Sequence, residues 1–126
     1  MENELVSFET ANLAKEKGFD EPTLYAYDEE SKTLARMRYC VKRNSRTDGI
    51  MTLAAPTRSQ LQRWLRKEKG YYVYPFYDNN EFKWTYSIRE KTGDMWLLLV
   101  GETPNFDLFE EAMEAGLKYA LKNLIL

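Results

Sequence analysis

The sequence predicts a single α+β domain over residues 1–126, with helices packed against an antiparallel sheet in the order α-β-β-α-β-β-β-α. Three observations carry this. Phe82, Trp84, Tyr86 and Ile88 alternate strictly with Lys83, Thr85, Ser87 and Arg89, the period-2 pattern of a half-buried strand. Phe109, Ala112, Met113, Gly116, Leu117, Ala120, Leu121 and Leu124 recur at helical spacing as one wide apolar stripe. The 126 residues are 44% hydrophobic and 14% aromatic, enough for one core, and no internal repeat, low-complexity segment or linker divides them.

Each element has its own local signal. Ser7 is placed to cap a helix over Phe8 to Lys17, and Gly18 to end it, although the apolar side (Phe8, Ala11, Ala14) is thin and Leu13 points elsewhere. Pro22 breaks the helical pattern. Leu24 to Asp28 and Leu34 to Cys40 read as strands around the polar turn Glu29-Glu30-Ser31-Lys32. Asn44 to Gly49 reads as an exposed, mobile loop. After Pro56, Thr57 is a helix cap and Gly70 lies past the helix end. Between them Leu61, Trp64, Leu65 and the stem of Glu68 share one face.

Tyr71 to Tyr77 is aromatic on both faces, as in a strand covered twice or seated in an interface. Asp78-Asn79-Asn80-Glu81 has hairpin chemistry, and Lys91-Thr92-Gly93-Asp94 turns the chain into an apolar strand from Met95 to Val100. Thr103-Pro104 reads as the cap and first position of the last helix. Asp107, Glu111 and Glu114 come before Lys118 and Lys122 on its polar side, as the helix dipole favours. Gly116 inside the apolar stripe predicts a close approach of another element.

Charge is sorted along the chain. Arg36 to Lys69 holds ten basic residues and two acids, a net charge of +8, while the remainder holds 8 basic and 18 acidic residues, a net −10. Such asymmetry marks a surface for an anionic partner, or lets parts of one fold attract each other. The candidate binding surface is the polar side of the second helix, Arg58, Arg63, Arg66, Lys67 and Lys69, extended by Lys42, Arg43 and Arg46. An ordinary solvated helix face is the competing reading, and a sequence pI of 5.3 argues against a dedicated nucleic-acid binder. Tyr72, Tyr74 and Tyr77 with Trp84 form a second candidate, side chains able to stack bases or anchor a protein partner, though core and half-core packing is the simpler reading for most of them and the aromatic RRM signature is missing.

Composition excludes several chemistries. With no histidine, Ser-His-Asp and Cys-His nucleophilic sites and His-containing zinc sites are ruled out. The lone Cys40 rules out an intrachain disulfide and a thiolate zinc site, and suits a reducing compartment. Arg38, Lys42 and Arg43 near it would lower its pKa, but an incidental thiol is the simpler reading. The six glycines are scattered, so there is no phosphate-binding loop. Asp107, Glu110, Glu111 and Glu114 are better explained by the helix dipole than by magnesium or acid–base catalysis, and Asp28-Glu29-Glu30 by a turn. No metal, cofactor or small-molecule substrate is expected. The acidic start Met1-Glu2-Asn3-Glu4 predicts no secretory signal, and Met95 to Val100 is too short to cross a bilayer.

Three stretches, ENELVSFETANLAKEKGF, APTRSQLQRWLRKEKG and FEEAMEAGLKYALKNL, together resemble a family of small proteins found in gut Bacteroidales and their phages and prophages. They cover the first, second and last helices, about half the chain. They are scaffold segments and carry no catalytic motif, so the resemblance gives no residue a role. It implies a phage- or mobile-element-associated protein of the bacterial cytoplasm. The function expected from the sequence is therefore a small non-enzymatic interaction protein whose partner is a protein or a second copy of itself. The alternative is nucleic-acid binding through the basic second helix.

Overall fold

The computed structural model describes residues 4–41, 46–47, 50–99 and 103–125, with side chains left out at 37–41, 46–47 and 50–51. The chain is α+β, with helices packed on antiparallel sheets. It divides into two compact units, Met1–Thr57 and Arg58–Leu126. The strands form two sheets where the sequence suggested one.

In the first unit, α1 (Phe8–Glu16) starts where Ser7 was placed to cap it: the Thr10 backbone N–H donates to Ser7 Oγ at 3.2 Å. Gly18, at φ +98°, lets the chain leave the helix. Thr10, Ala11 and Ala14 are the buried positions of α1. The sheet has the order β2-β1-β4-β3, from β1 (Thr23–Asp28), β2 (Leu34–Val41), β3 (Arg46–Thr47) and β4 (Ile50–Ala54). Two of these strands are corrections to the sequence reading. Residues 46 and 47 pair as a strand within the stretch read as loop, the rest of which lies outside the described residues. β4 was not anticipated, yet it is central, pairing with β1 through Ala26–Ala54 and Tyr27–Leu53 and with β3 on its other edge. The Asp28 carboxylate accepts the backbone N–H groups of Glu30 and Ser31, so the acidic turn is self-capped. Val6 N–H donates to the Pro56 carbonyl at 3.0 Å and Tyr27 Oη to the Val6 carbonyl at 2.8 Å, tying the segment before α1 to both sheet and exit loop.

The second unit begins with α2 (Arg58–Trp64), which loosens into a π-helical turn over Leu65–Lys69 before Gly70, at φ +77°, ends it. The change from i→i+4 to i→i+5 bonding shifts the phase of the helix face. Leu61, Trp64 and Leu65 are buried as the spacing predicts, but Glu68 is exposed. A three-stranded meander follows: β5 (Tyr71–Asp78), β6 (Lys83–Thr92) and β7 (Met95–Leu98), in that order across the sheet. Asp78 pairs with Lys83 around the β5–β6 turn, where Phe82 takes the left-handed conformation (φ +55°) and is 75% exposed.

The last helix corrects a start signal. α3 is Phe109–Tyr119, with a π-helical turn Ala120–Leu124, and it begins at Leu108 without a side-chain cap. Thr103-Pro104 lies ahead of it in extended chain. There the Thr103 hydroxyl donates to the Tyr86 carbonyl at 3.0 Å and is in close contact with the Thr85 hydroxyl, whose proton also reaches the Pro104 carbonyl at 2.8 Å. Trp84 and Phe106 exchange both backbone hydrogen bonds, at 2.8 and 2.6 Å, so this segment runs along β6. The threonine that looked like a cap instead bonds its hydroxyl to β6.

Gly116 is where α3 meets the sheet. A Cβ there would lie 2.8 Å from Val73 Cγ1 and 2.9 Å from Tyr86 Cγ. Val73, Tyr86 and Ile88 therefore form the face that α3 covers, with Ala112, Met113, Leu117, Ala120 and Leu121 buried along the helix.

Candidate functional site

The strand register decides which aromatic side chains can work together, because residues paired directly across an antiparallel ladder share a face. Val73–Ile88, Pro75–Tyr86 and Tyr77–Trp84 belong to the α3 side; Tyr72–Arg89, Tyr74–Ser87 and Phe76–Thr85 belong to the other. On β7, Trp96 pairs with Lys91 and Leu98 with Arg89, which places both on the second face. The four side chains grouped from the sequence are thus split. Tyr77 and Trp84 meet edge to face at 5.3 Å, with Phe109 of α3 against Trp84 at 5.2 Å, an aromatic cluster that is partly exposed on the α3 side. Tyr72 and Tyr74 stand on the opposite face.

That face carries a continuous aromatic row. Tyr72 and Tyr74 stack with centroids 4.9 Å apart and planes 29° apart; Trp96 meets Tyr72 at 6.2 Å and Phe76 meets Tyr74 at 6.5 Å. Tyr72, Tyr74 and Trp96 are half-buried, and Phe76 is exposed. Arginines flank the row. The Arg66 guanidinium carbon lies 5.8 Å from the Tyr72 ring centroid, a cation–π distance. Arg89 Nε donates to Tyr74 Oη at 3.0 Å, and its Nη1 makes a longer contact, 3.4 Å, with the Trp96 carbonyl. Lys91 is exposed beside Trp96, and Lys83, exposed at the far end, is paired with Asp107. The face combines flat aromatic surface with positive charge.

Tyr74 reports this environment. The Ser87 hydroxyl, and after it the Arg89 guanidinium, favour the phenolate and draw the Tyr74 pKa below the usual 10.0, against the opposing effect of burial. Tyr86, on the covered face, moves the other way because burial disfavours its phenolate. The signs differ accordingly. The Tyr74 contribution to stability is present above pH 10.0 and lost as pH falls through its lowered value. The Tyr86 contribution is present below 10.0 and lost as pH rises through its raised one. In an alkaline titration followed by phenolate absorbance, Tyr74→Phe is expected to remove a step that lies below pH 10.0. An unchanged titration below pH 10.0 in the variant would mean that Ser87 and Arg89 do not favour the Tyr74 phenolate.

The predicted basic surface is only partly assembled. Arg58 turns inward: its Nε binds Glu114 Oε1 of α3 at 3.0 Å, with both side chains mostly buried. Lys69 lies 5.4 Å from the Trp64 ring centroid, and Arg66 goes to Tyr72. Arg63 and Lys67 are exposed. Lys42 and Arg43 lie outside the described residues, as does the side chain of Arg46, and so does the Cys40 thiol. Among the named cations whose side chains are described, Arg66 is placed against the aromatic row, over Tyr72. Sequence reasoning missed Arg89, Phe76 and Trp96. Strand parity held the signal: Tyr72 and Tyr77 are five residues apart and must face opposite ways, whereas Tyr72, Tyr74 and Phe76 share a side.

The acids are also accounted for. Asp107 pairs with Lys83, Glu114 with Arg58, and Glu110 and Glu111 line an open cleft of about 460 Å³ with Arg58, Phe106, Leu108 and Lys118. Among the described residues, no group of three or more His, Cys, Asp or Glu side chains is arranged to hold a metal ion. Among the same residues, no helix is long and apolar enough to cross a membrane. No family model, curated protein or solved structure matches the chain.

Proposed function

We propose that this is a non-enzymatic binding protein whose working surface is the aromatic face of the β5-β6-β7 sheet, and that its ligand is single-stranded nucleic acid. One observation carries the reading. The Tyr72–Tyr74 stack, extended by Trp96 and Phe76, shares its face with Arg89 and is flanked by Arg66. Every base has a π-face, so aromatic side chains bind bases without regard to sequence, and cations alongside take the phosphates. This moves the proposed surface from the back of the second helix to the sheet and keeps Arg66 as the link between them. A protein ligand on the same face is the second reading, favoured because Trp, Tyr and Arg are the side chains that dominate interface hot spots. On the resemblance, we place the protein in a bacterial cytoplasm carrying phage or mobile-element genes.

Fluorescence anisotropy with labelled single-stranded DNA and RNA tests this, at about 50 and about 200 mM salt. Binding is expected at the lower salt and to weaken steeply at the higher. Tyr72→Ala or Trp96→Ala should cost roughly 1–3 kcal/mol, a loss of about 5- to 150-fold. Arg66→Glu should weaken binding and flatten the salt slope. Binding that ignores Tyr72→Ala and Trp96→Ala but disappears in Arg63→Glu/Arg66→Glu would return the site to the helix. No binding at the lower salt would retire nucleic acid and leave the protein ligand.

A further inference from the structure

The two edges of the β5-β6-β7 sheet differ. The geometry points to the β7 edge as a self-association surface, on which a second copy of this chain adds its own β7 in antiparallel register. This inference is independent of what the aromatic face binds.

Hydrogen-bond parity identifies the groups that are available. Lys91 N–H donates to the Gly70 carbonyl at 2.9 Å, so the main chain of Gly70, Tyr72, Tyr74 and Phe76 faces β6, and that of Tyr71, Val73, Pro75 and Tyr77 faces outward. On this edge Pro75 has no N–H to offer, and the Val73 carbonyl accepts Gln62 Nε2 at 2.6 Å. A proline and a side-chain cap are the devices that keep sheet edges from pairing. On the other side, Leu99 N–H donates to the Ile88 carbonyl at 2.9 Å. By alternation Met95 and Leu97 also spend their main chain on β6, while Trp96 and Leu98 turn theirs outward. The Trp96 carbonyl receives the 3.4 Å contact from Arg89, and its second lone pair remains for a strand.

The side chains fit the same occupant. From Met95 to Leu99 there is no charge and no proline, and Met95, Leu97, Leu98 and Leu99 are 63%, 45%, 56% and 41% exposed. With Trp96 and Leu98 the outward positions of β7 among the described residues, the symmetric register pairs Trp96 of each copy with Leu98 of the other. About four backbone hydrogen bonds form, and Leu97 meets its own copy at the two-fold axis. Every cross-copy pair in the strand is then apolar against apolar, with no like charges opposed. The result is a sheet of twice the width, in which Trp96 and Leu98 of both copies adjoin on the aromatic face. A strand this short gives a small interface, so the dimer is expected to be concentration-dependent.

Sedimentation velocity from about 5 to about 500 μM should show a shift from the 14.9 kDa monomer towards twice that mass. Two substitutions act on the outward groups alone. Leu98→Pro deletes an N–H that β6 does not use, and Leu98→Lys places a charge at an exposed position. Each should raise the dimer dissociation constant at least tenfold with an unchanged circular-dichroism spectrum. In a Cys40→Ser background, Leu97→Cys should form an interchain disulfide under mild oxidation, whereas Met95→Cys should not. A monomer throughout the range would overturn the proposal, as would higher oligomers or a dimer that persists in both Leu98 variants. A Met95→Cys disulfide as efficient as that of Leu97→Cys would overturn the register.

Discussion

Replacing Gly116 by leucine will destabilise the protein by roughly 1–3 kcal/mol, seen as a lower denaturant midpoint with an unchanged slope. The reason lies in two distances. Even a methyl group would sit 2.8 Å from Val73 Cγ1 and 2.9 Å from Tyr86 Cγ, nearer than carbon atoms pack. Val73 and Tyr86 are themselves buried, Val73 at 0% exposure, so neither can step aside without opening the core. Alanine is the sharper probe. It gains about 1 kcal/mol of helix propensity over glycine, so a net loss in Gly116→Ala isolates the clash. A leucine variant as stable as the parent would mean that α3 does not rest against β5 and β6 at this point.

The second large effect is expected from Leu53→Ala, a loss of about 2–5 kcal/mol. Leu53 is fully buried on β4, between β1 and β3, opposite Tyr27. Truncation removes apolar surface and leaves a hole that surrounding small residues such as Ala26 and Ala54 are poorly placed to fill. Leu24→Ala, at a 39% exposed position on β1, is the control and should shift stability by under about 0.5 kcal/mol. Equal, small losses in the two variants would remove β4 from the centre of its sheet.

β4 also shows where the sequence was hard to read. Ile50-Met51-Thr52-Leu53-Ala54 is a short apolar run bounded by Gly49 and Pro56, a usable strand signal. The turn-rich stretch before it and the helix cap after it drew that segment into a connection. The helix stripes were more legible, because periodicity over many residues averages out local ambiguity. Leu61, Trp64 and Leu65 of α2 and the stripe from Ala112 to Leu121 of α3 are buried as their spacing requires. Local signals failed where tertiary partners claimed the same atoms. Thr103 has the chemistry of a cap, but its hydroxyl is engaged by Thr85 and Tyr86. Arg58 has the look of a solvated cation, but Glu114, distant in sequence, draws it in. The aromatic face was half legible. The number of tyrosines announced it, and strand parity, rather than composition, sorts them into a partly exposed cluster on the α3 side and a row on the other.

The two sheets also differ in how far along the chain their strands must search. In the β5-β6-β7 sheet each strand pairs with its sequence neighbour across a short turn, Asp78 to Lys83 and Thr92 to Met95. In the other sheet the central partners are β1 and β4, and Asp28 must find Thr52 after β2 and β3 have been laid down. Loop-closure entropy rises with the length of chain enclosed, and pairing between distant segments slows folding. The meander therefore closes short loops at low entropic cost, while the β1–β4 pair closes the long and costly one of the other unit. The segment between Asp28 and Thr52 is the stretch whose length sets that cost.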